Sequence, residues 1–288
     1  MLRLSGMRTF LVGSLVAAAL AVTPAGAAGA AAPIAHPTAA SRVVVRVSSG
    51  GGFVAPQANL SALPSFTLYG DGTVLLPGAV PQISPGPAIS PLVRMHLGAS
   101  KVQALLRRAK QAGLLAGHAI DYGDMGSVGV SDMPTTTVTL NAGGRHVQRR
   151  AYALGAASHG GGLSDAQTRA RAALTRFIAS LPHGPGGTRY TPQALAVFVA
   201  PYSGQPQPGS TPIVWPLASD LATAGKGGAG GLAYRCISVR GADARTLLAR
   251  LGKANSASRW RSRGATAVFT LTARPLLPDE LGCASLTG

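Results

Sequence analysis

Three aspartates, Asp121, Asp124 and Asp132, stand within one stretch of a chain that has only nine acids in all. Carboxylates on a loop can hold Ca²⁺ together with backbone carbonyls and water, so these three are the candidate metal ligands. Their spacing matches neither the twelve-residue EF-hand loop nor a nonapeptide calcium repeat, and His118 alone does not make a transition-metal site. Asx turns and ion pairs to neighbouring arginines explain the cluster at lower cost. The six histidines, at 36, 96, 118, 146, 159 and 183, include no His-x-x-x-His pair. Ser127 lies in "MGSVG", which lacks the first glycine of a Gly-x-Ser-x-Gly nucleophile elbow. "TAGKGG" at Thr223 to Gly228 lacks both the leading glycine of a phosphate loop and the hydroxyl residue after Lys226. Glu280 is the only glutamate and sits beside Asp279 in a Pro-rich turn, which suits anchoring by arginine better than glycan hydrolysis. No catalytic residue and no cofactor is assigned. A hydrolase built from dispersed residues around the 121–132 loop stands as the alternative to a binding protein, with an extracellular protein inhibitor presenting Pro-rich loops as a third reading.

Two cysteines, Cys236 and Cys283, are the only thiols. An even count in an exported chain predicts a disulfide, since neither a Cys-x-x-Cys spacing nor a nearby histidine favours redox or zinc chemistry. Export is read from the first thirty residues. Arg3 and Arg8 precede an apolar run from Phe10 to Val22, and two small-x-small sites follow at Ala25-Gly26-Ala27 and Ala28-Gly29-Ala30. The run is too short for a membrane span, which needs roughly twenty residues, and Pro24 follows it. Cleavage is expected near Ala28 or Ala31. No cysteine stands there to carry a lipid, so a released protein with no stable membrane anchor is expected, extracellular or loosely associated with the cell wall.

Charge bounds the partners. The formal net charge is +17, or +15 once Arg3 and Arg8 leave with the leader. Such a surface attracts anions, and outside a bacterium these are wall teichoic or glycan phosphates, acidic lipid heads, stray nucleic acid or an acidic protein. Nucleic acid is not expected: the basic residues are scattered and aromatics make up only 5% of the chain, so the interleaving that stacks bases is missing.

The elements that must position these groups read as α+β, with antiparallel sheets covered by amphipathic helices in two small units. A lead-in to Ser41 precedes an N-terminal unit over 42–183. Its elements are a strand in "RVVVRVSS", a hairpin about Asp71-Gly72, and a Pro-rich extended crossing from Pro77 to Pro91. A helix over Ser100 to Leu115, a second hairpin turning at Asn141 to Gly144, and a helix capped by Ser164 or Asp165 follow. Residues 184–230 read as a strand, "ALAVFVA", plus a Pro/Gly-rich connecting segment containing the short edge-like strand "IVWPL". The C-terminal unit, 231–288, reads as strand, helix over Ala242 to Leu251, strand, and the disulfide. Trp215 and Trp260 are expected in its core.

"SFTLYGDGTVLLPG", the helix at Lys101 and "MPTTTVTLNAGG…VQRRAYALG" together resemble a widespread exported bacterial domain of unknown function. The C-terminal "YRCISVRG", "RW" and "RPLLPDELGC" resemble the second half of uncharacterised secreted or lipid-anchored proteins of high-GC Gram-positive bacteria. The resemblance implies export and an α+β architecture and brings no catalytic residues. The chain lacks the lipobox cysteine of the lipid-anchored relatives.

Overall fold

A computed structural model describes residues 1–2, 32–126, 129–156, 162–184, 186–205, 211–228 and 234–286. The chain divides into two compact units, Met1–Pro33 and Ile34–Gly288. The leader, its cleavage sites, Ser127 and His159 lie outside the described residues. Everything below concerns the second unit.

Two sheets carry the architecture, antiparallel throughout except for one parallel pair at an edge of the second. The first has seven strands: β1 (Val43–Gly50), β2 (Phe66–Tyr69), β3 (Thr73–Pro77), β4 (Leu92–His96), β5 (Thr135–Ala142), β6 (Arg145–Tyr152) and β7 (Thr188–Tyr190), in the spatial order β6-β5-β1-β2-β3-β4-β7. Three helices interleave with them, α1 (Pro56–Ser61), α2 (Ala99–Gln111) and α3 (Asp165–Ala179). The second sheet has β8 (Ala194–Pro201), β9 (Ile213–Val214), β10 (Arg235–Arg240), β11 (Arg259–Arg261) and β12 (Phe269–Pro275), ordered β10-β8-β12-β11-β9, with α4 (Gly241–Leu251) between β10 and β12. An α+β fold is therefore observed. Residues 184–230 supply β7 to the first sheet and β8 and β9 to the second. Because β8 pairs antiparallel with both β10 and β12, those two strands run parallel without touching, and the β10-α4-β12 crossover spans β8.

Local chemistry explains most of the elements. Ser164 caps α3 by accepting from the Gln167 amide, and the Gln167 side chain accepts from the Ser164 amide, a complete capping box. Helix α2 begins at Ala99 behind Gly98 with no side-chain cap, so the expected cap at Ser100 is not used. Gly143 and Gly144, at φ +60° and +70°, form the two-residue turn between β5 and β6, where both positions need positive φ. The β2–β3 turn differs from expectation: of Asp71-Gly72 only Gly72 is at positive φ, +85°. Asp71 instead accepts from the Thr73 amide and hydroxyl, an Asx turn, so the loop is longer than an Asp-Gly hairpin. A Cβ at Gly72 would stand 2.3 Å from the Leu97 carbonyl, which fixes glycine there. Strand β4 was not foreseen, because its Leu-Val-Arg-Met-His run is short and lies directly after the Pro-rich crossing. Between its ends, which pair through the Gly78 amide and the Pro91 carbonyl, that crossing makes isolated bridges at Pro87 and Ile89, as its shortage of N–H donors dictates.

One face of the first sheet is dry. Val45, Val47, Phe66, Leu68, Val138 and Leu140 pack under Val102, Leu105 and Leu106 of α2 and Leu174 and Phe177 of α3. The opposite face meets the chain's C-terminal turn: Tyr69, Leu75 and Leu92 surround Leu277. Asp279 there accepts from Arg46 (2.6 Å) and from the Tyr69 hydroxyl (2.8 Å). Burial, and then Asp279, holds the Tyr69 phenol far above its ordinary range. Burial alone would lower Arg46, but the Asp279 hydrogen bond and charge outweigh it and raise the guanidinium. The second sheet buries Leu195, Val197, Trp215, Leu247 and Trp260 in its own core, the two indoles edge to face at 6.3 Å. Both tryptophans thus take the expected structural place.

Tyr122 buries its hydroxyl in the first core with no hydrogen-bond partner among the described residues. An orphan buried donor costs about 1–3 kcal/mol. Tyr122→Phe is therefore expected to raise the melting temperature, by roughly 2–4 °C per kcal/mol recovered in a domain this size. A fall in melting temperature of that size would show that the hydroxyl has a partner.

Candidate functional site

Arginine settles where the sequence offers few carboxylates. Among the described residues only two ion pairs form, Arg46–Asp279 and Arg274–Glu280. Three other guanidiniums each bind three backbone carbonyls instead. Arg149 donates to the carbonyls of Leu114, Ala116 and His118, just past the end of α2. Arg171 donates to Tyr122, Tyr152 and Ala153, and burial lowers its guanidinium. Arg235 donates to Thr223, Ala224 and Gly225. The five-donor fork suits several carbonyls at once. The Arg235 set also disposes of the phosphate-loop likeness of "TAGKGG", because that loop turns its carbonyls, not its amides, toward the side chain.

A cavity of about 410 Å³ lies at the β11–β9 edge of the second sheet. Its walls include three segments that fix its shape. Tyr202 follows β8, tied by its amide to the Val268 carbonyl. Arg259 opens β11 opposite Thr270 of β12. The third wall is the Asn255–Ser258 turn after α4, against which the Pro-rich crossing docks through Ser256 N–H to the Gly86 carbonyl. The Arg259 guanidinium lies over the Tyr202 ring, 5.5 Å from its centroid, a cation–π contact that orders a long side chain. The Ser258 hydroxyl accepts from the Asn255 amide and donates to Asn255 Oδ1; Arg259, Gln205, Thr211 and Thr270 are further polar side chains on the wall. The described lining holds no carboxylate, imidazole or thiol. Guanidinium, amide and hydroxyl groups together suit contact with a polar, negatively charged ligand.

The aspartates of the 121–132 loop lie elsewhere and serve separate turns. Asp121 accepts from the Gln167 side chain and the Gly123 amide, and these bonds, in that order, hold its carboxyl below the ordinary range. Asp124 accepts from the Gly126 amide. Asp132 adopts φ +60° and offers its carbonyl to Phe53. No three His, Cys, Asp or Glu side chains converge on a metal-sized site among the described residues. Asp279 and Glu280 do anchor their turn through arginines, as their position suggested. The disulfide joins Cys236 of β10 to Cys283, with Cα atoms 5.9 Å apart. No described helix is long and apolar enough to cross a membrane.

Sequence reasoning missed the Tyr202–Arg259 pair, since no spacing rule links residues on two strands with α4 between them. It also missed Arg149, for which a signal existed: Val147, Arg149 and Ala151 share one face of β6 by the strand period of two, and Val138 pairs with Arg149. Protein families, curated proteins and solved structures were all searched, and none matches this chain.

Proposed function

We propose that the protein is exported and acts by binding rather than catalysis, with the anionic polymer of the bacterial envelope as its ligand. The observation that carries this reading is the Tyr202–Arg259 cavity, whose described lining sets a guanidinium beside amide and hydroxyl groups and holds no carboxylate, imidazole or thiol. The formal charge of +17 supports it by drawing polyanions to the surface. The leader supports export, and so does the Cys236–Cys283 disulfide, a bond that persists in oxidising compartments.

Adsorption of the purified protein to isolated cell walls tests the proposal. Retention is expected at 50 mM salt and should fall on the order of a thousandfold by 200 mM, the loss anticipated for about six phosphate contacts on a dense polyanion. Arg259→Gln should weaken it by about tenfold, one charge-assisted contact. Absence of adsorption at low salt, or adsorption indifferent to salt, would overturn the reading.

A further inference from the structure

The two helices over the first sheet carry a lopsided charge. Helix α2 has Lys101, Arg107, Arg108 and Lys110 with no acid; α3 has Arg169, Arg171 and Arg176, and its one acid, Asp165, stands in the first turn. Lys101 and Arg108 are seven residues apart, as are Arg169 and Arg176, so each pair lies along one helix face. The C-terminal ends of these helices border a common cleft of about 270 Å³. Arg108 and Gln111 stand on one rim and Arg176 and Ser180 on the other, over a floor that includes Ala173 and buried Phe177.

Arginines near helix C-termini ordinarily answer the helix dipole, and that explanation is insufficient here. Each helix end presents roughly half a negative charge. Two ends therefore offset about one of the two guanidiniums and leave about one positive charge over, before Lys110 is counted. Nor are these side chains consumed by carbonyls as Arg149 and Arg171 are. Arg108 makes a single long bond, 3.4 Å, to the Ser180 carbonyl, and Arg176 makes no side-chain hydrogen bond among the described residues. Neither takes part in an ion pair there.

We propose that this cleft is a seat for a phosphodiester, with Arg108 and Arg176 as a two-sided clamp on the phosphate oxygens and the Phe177–Ala173 floor against the adjoining carbons. Two forks from different helices match a tetrahedral oxyanion, and the cleft admits one phosphate with a small substituent. The seat is distinct from the Tyr202–Arg259 cavity and rests on the envelope-binding proposal only for the source of the phosphate.

Backbone amide resonances of the folded chain, followed during titration with inorganic phosphate at constant ionic strength against chloride, test the clamp. Saturable shifts are expected at residues 108–113 and 176–181. Arg108→Gln and Arg176→Gln should each weaken the response by at least about fivefold, the loss of one charge-assisted contact, while Arg259→Gln leaves it unchanged. Shifts that chloride reproduces, or that survive the double replacement, would overturn the seat. Soluble poly(glycerol phosphate) and phosphatidylglycerol vesicles then separate the sources: tighter binding of the polymer assigns a wall phosphate, tighter binding of the vesicles a lipid headgroup. If neither binds more tightly than free phosphate, the phosphodiester assignment fails. Wall adsorption that fails while the phosphate response persists removes the envelope proposal and leaves the seat standing.

Discussion

Glu280→Ala is expected to destabilise the protein by about 3–5 kcal/mol, the cost of stranding a buried charge. Arg274 and Glu280 are paired through two hydrogen bonds, at 2.6 and 2.9 Å, and both side chains are almost wholly buried. Glu280 also accepts from the Leu277 amide, and Arg274 donates to the carbonyls of Ala62 and Pro275. Removing the carboxylate leaves a guanidinium and an amide without their acceptor in a space that excludes water. The turn it holds carries Asp279, which reaches across to Arg46 and Tyr69 of the first sheet, so the loss should spread from one sheet to the other. Chemical denaturation gives the measurement. The companion variant Arg274→Met with Glu280→Leu removes both charges and should recover most of the loss, because burying a matched apolar pair avoids the desolvation cost. Equal destabilisation by the single and double variants would show that the turn depends on these hydrogen bonds for its shape rather than for charge balance.

Replacing Cys236 and Cys283 together by Ser is expected to cost about 4 kcal/mol, the chain-entropy value for a loop of this length. The sequence separation is 47 residues, and the bond ties β10, at one edge of the second sheet, to the final 3-10 turn at Cys283–Ser285. At roughly 2–4 °C per kcal/mol for a domain of this size, the melting temperature should drop by about 8–16 °C. Reduction of the native protein should give the same shift. A drop of less than about 2 °C would mean that the C-terminal segment is already held by the Ser238 hydroxyl, which accepts from the Cys283 amide, and by the Arg274–Glu280 pair.

The two expectations differ in how far they were legible beforehand. The cysteine pair followed from a count, because two thiols in a chain read as exported have one partner each. The anchoring of Asp279 and Glu280 by arginines was foreseen in kind, yet not which arginines, since Arg46 stands 233 residues from Asp279. The cap at Ser164 and the Gly143-Gly144 turn were readable because their hydrogen bonds and dihedrals close within four residues. The cap at Ser100 failed because Gly98 already takes the cap position of α2, two residues before the serine. The aspartates at 121, 124 and 132 looked like a cluster because sequence distance is short; on an irregular loop the carboxylates of Asp121 and Asp124 turn to amides two residues on, while Asp132 offers its backbone carbonyl to Phe53.

By itself the sequence determined the α+β class, the amphipathic helices, the local turns and the pairing of the two thiols, because periodic burial and short-range hydrogen bonding are written in neighbouring residues. Only the tertiary structure decided which arginines enter the interior and which remain on the surface. A guanidinium is stable inside wherever several carbonyls converge, and that convergence depends on where distant chain ends meet. Arg149 and Arg171 find such places, Arg259 comes to rest on Tyr202, and Arg108 and Arg176 are left facing one another across an open cleft.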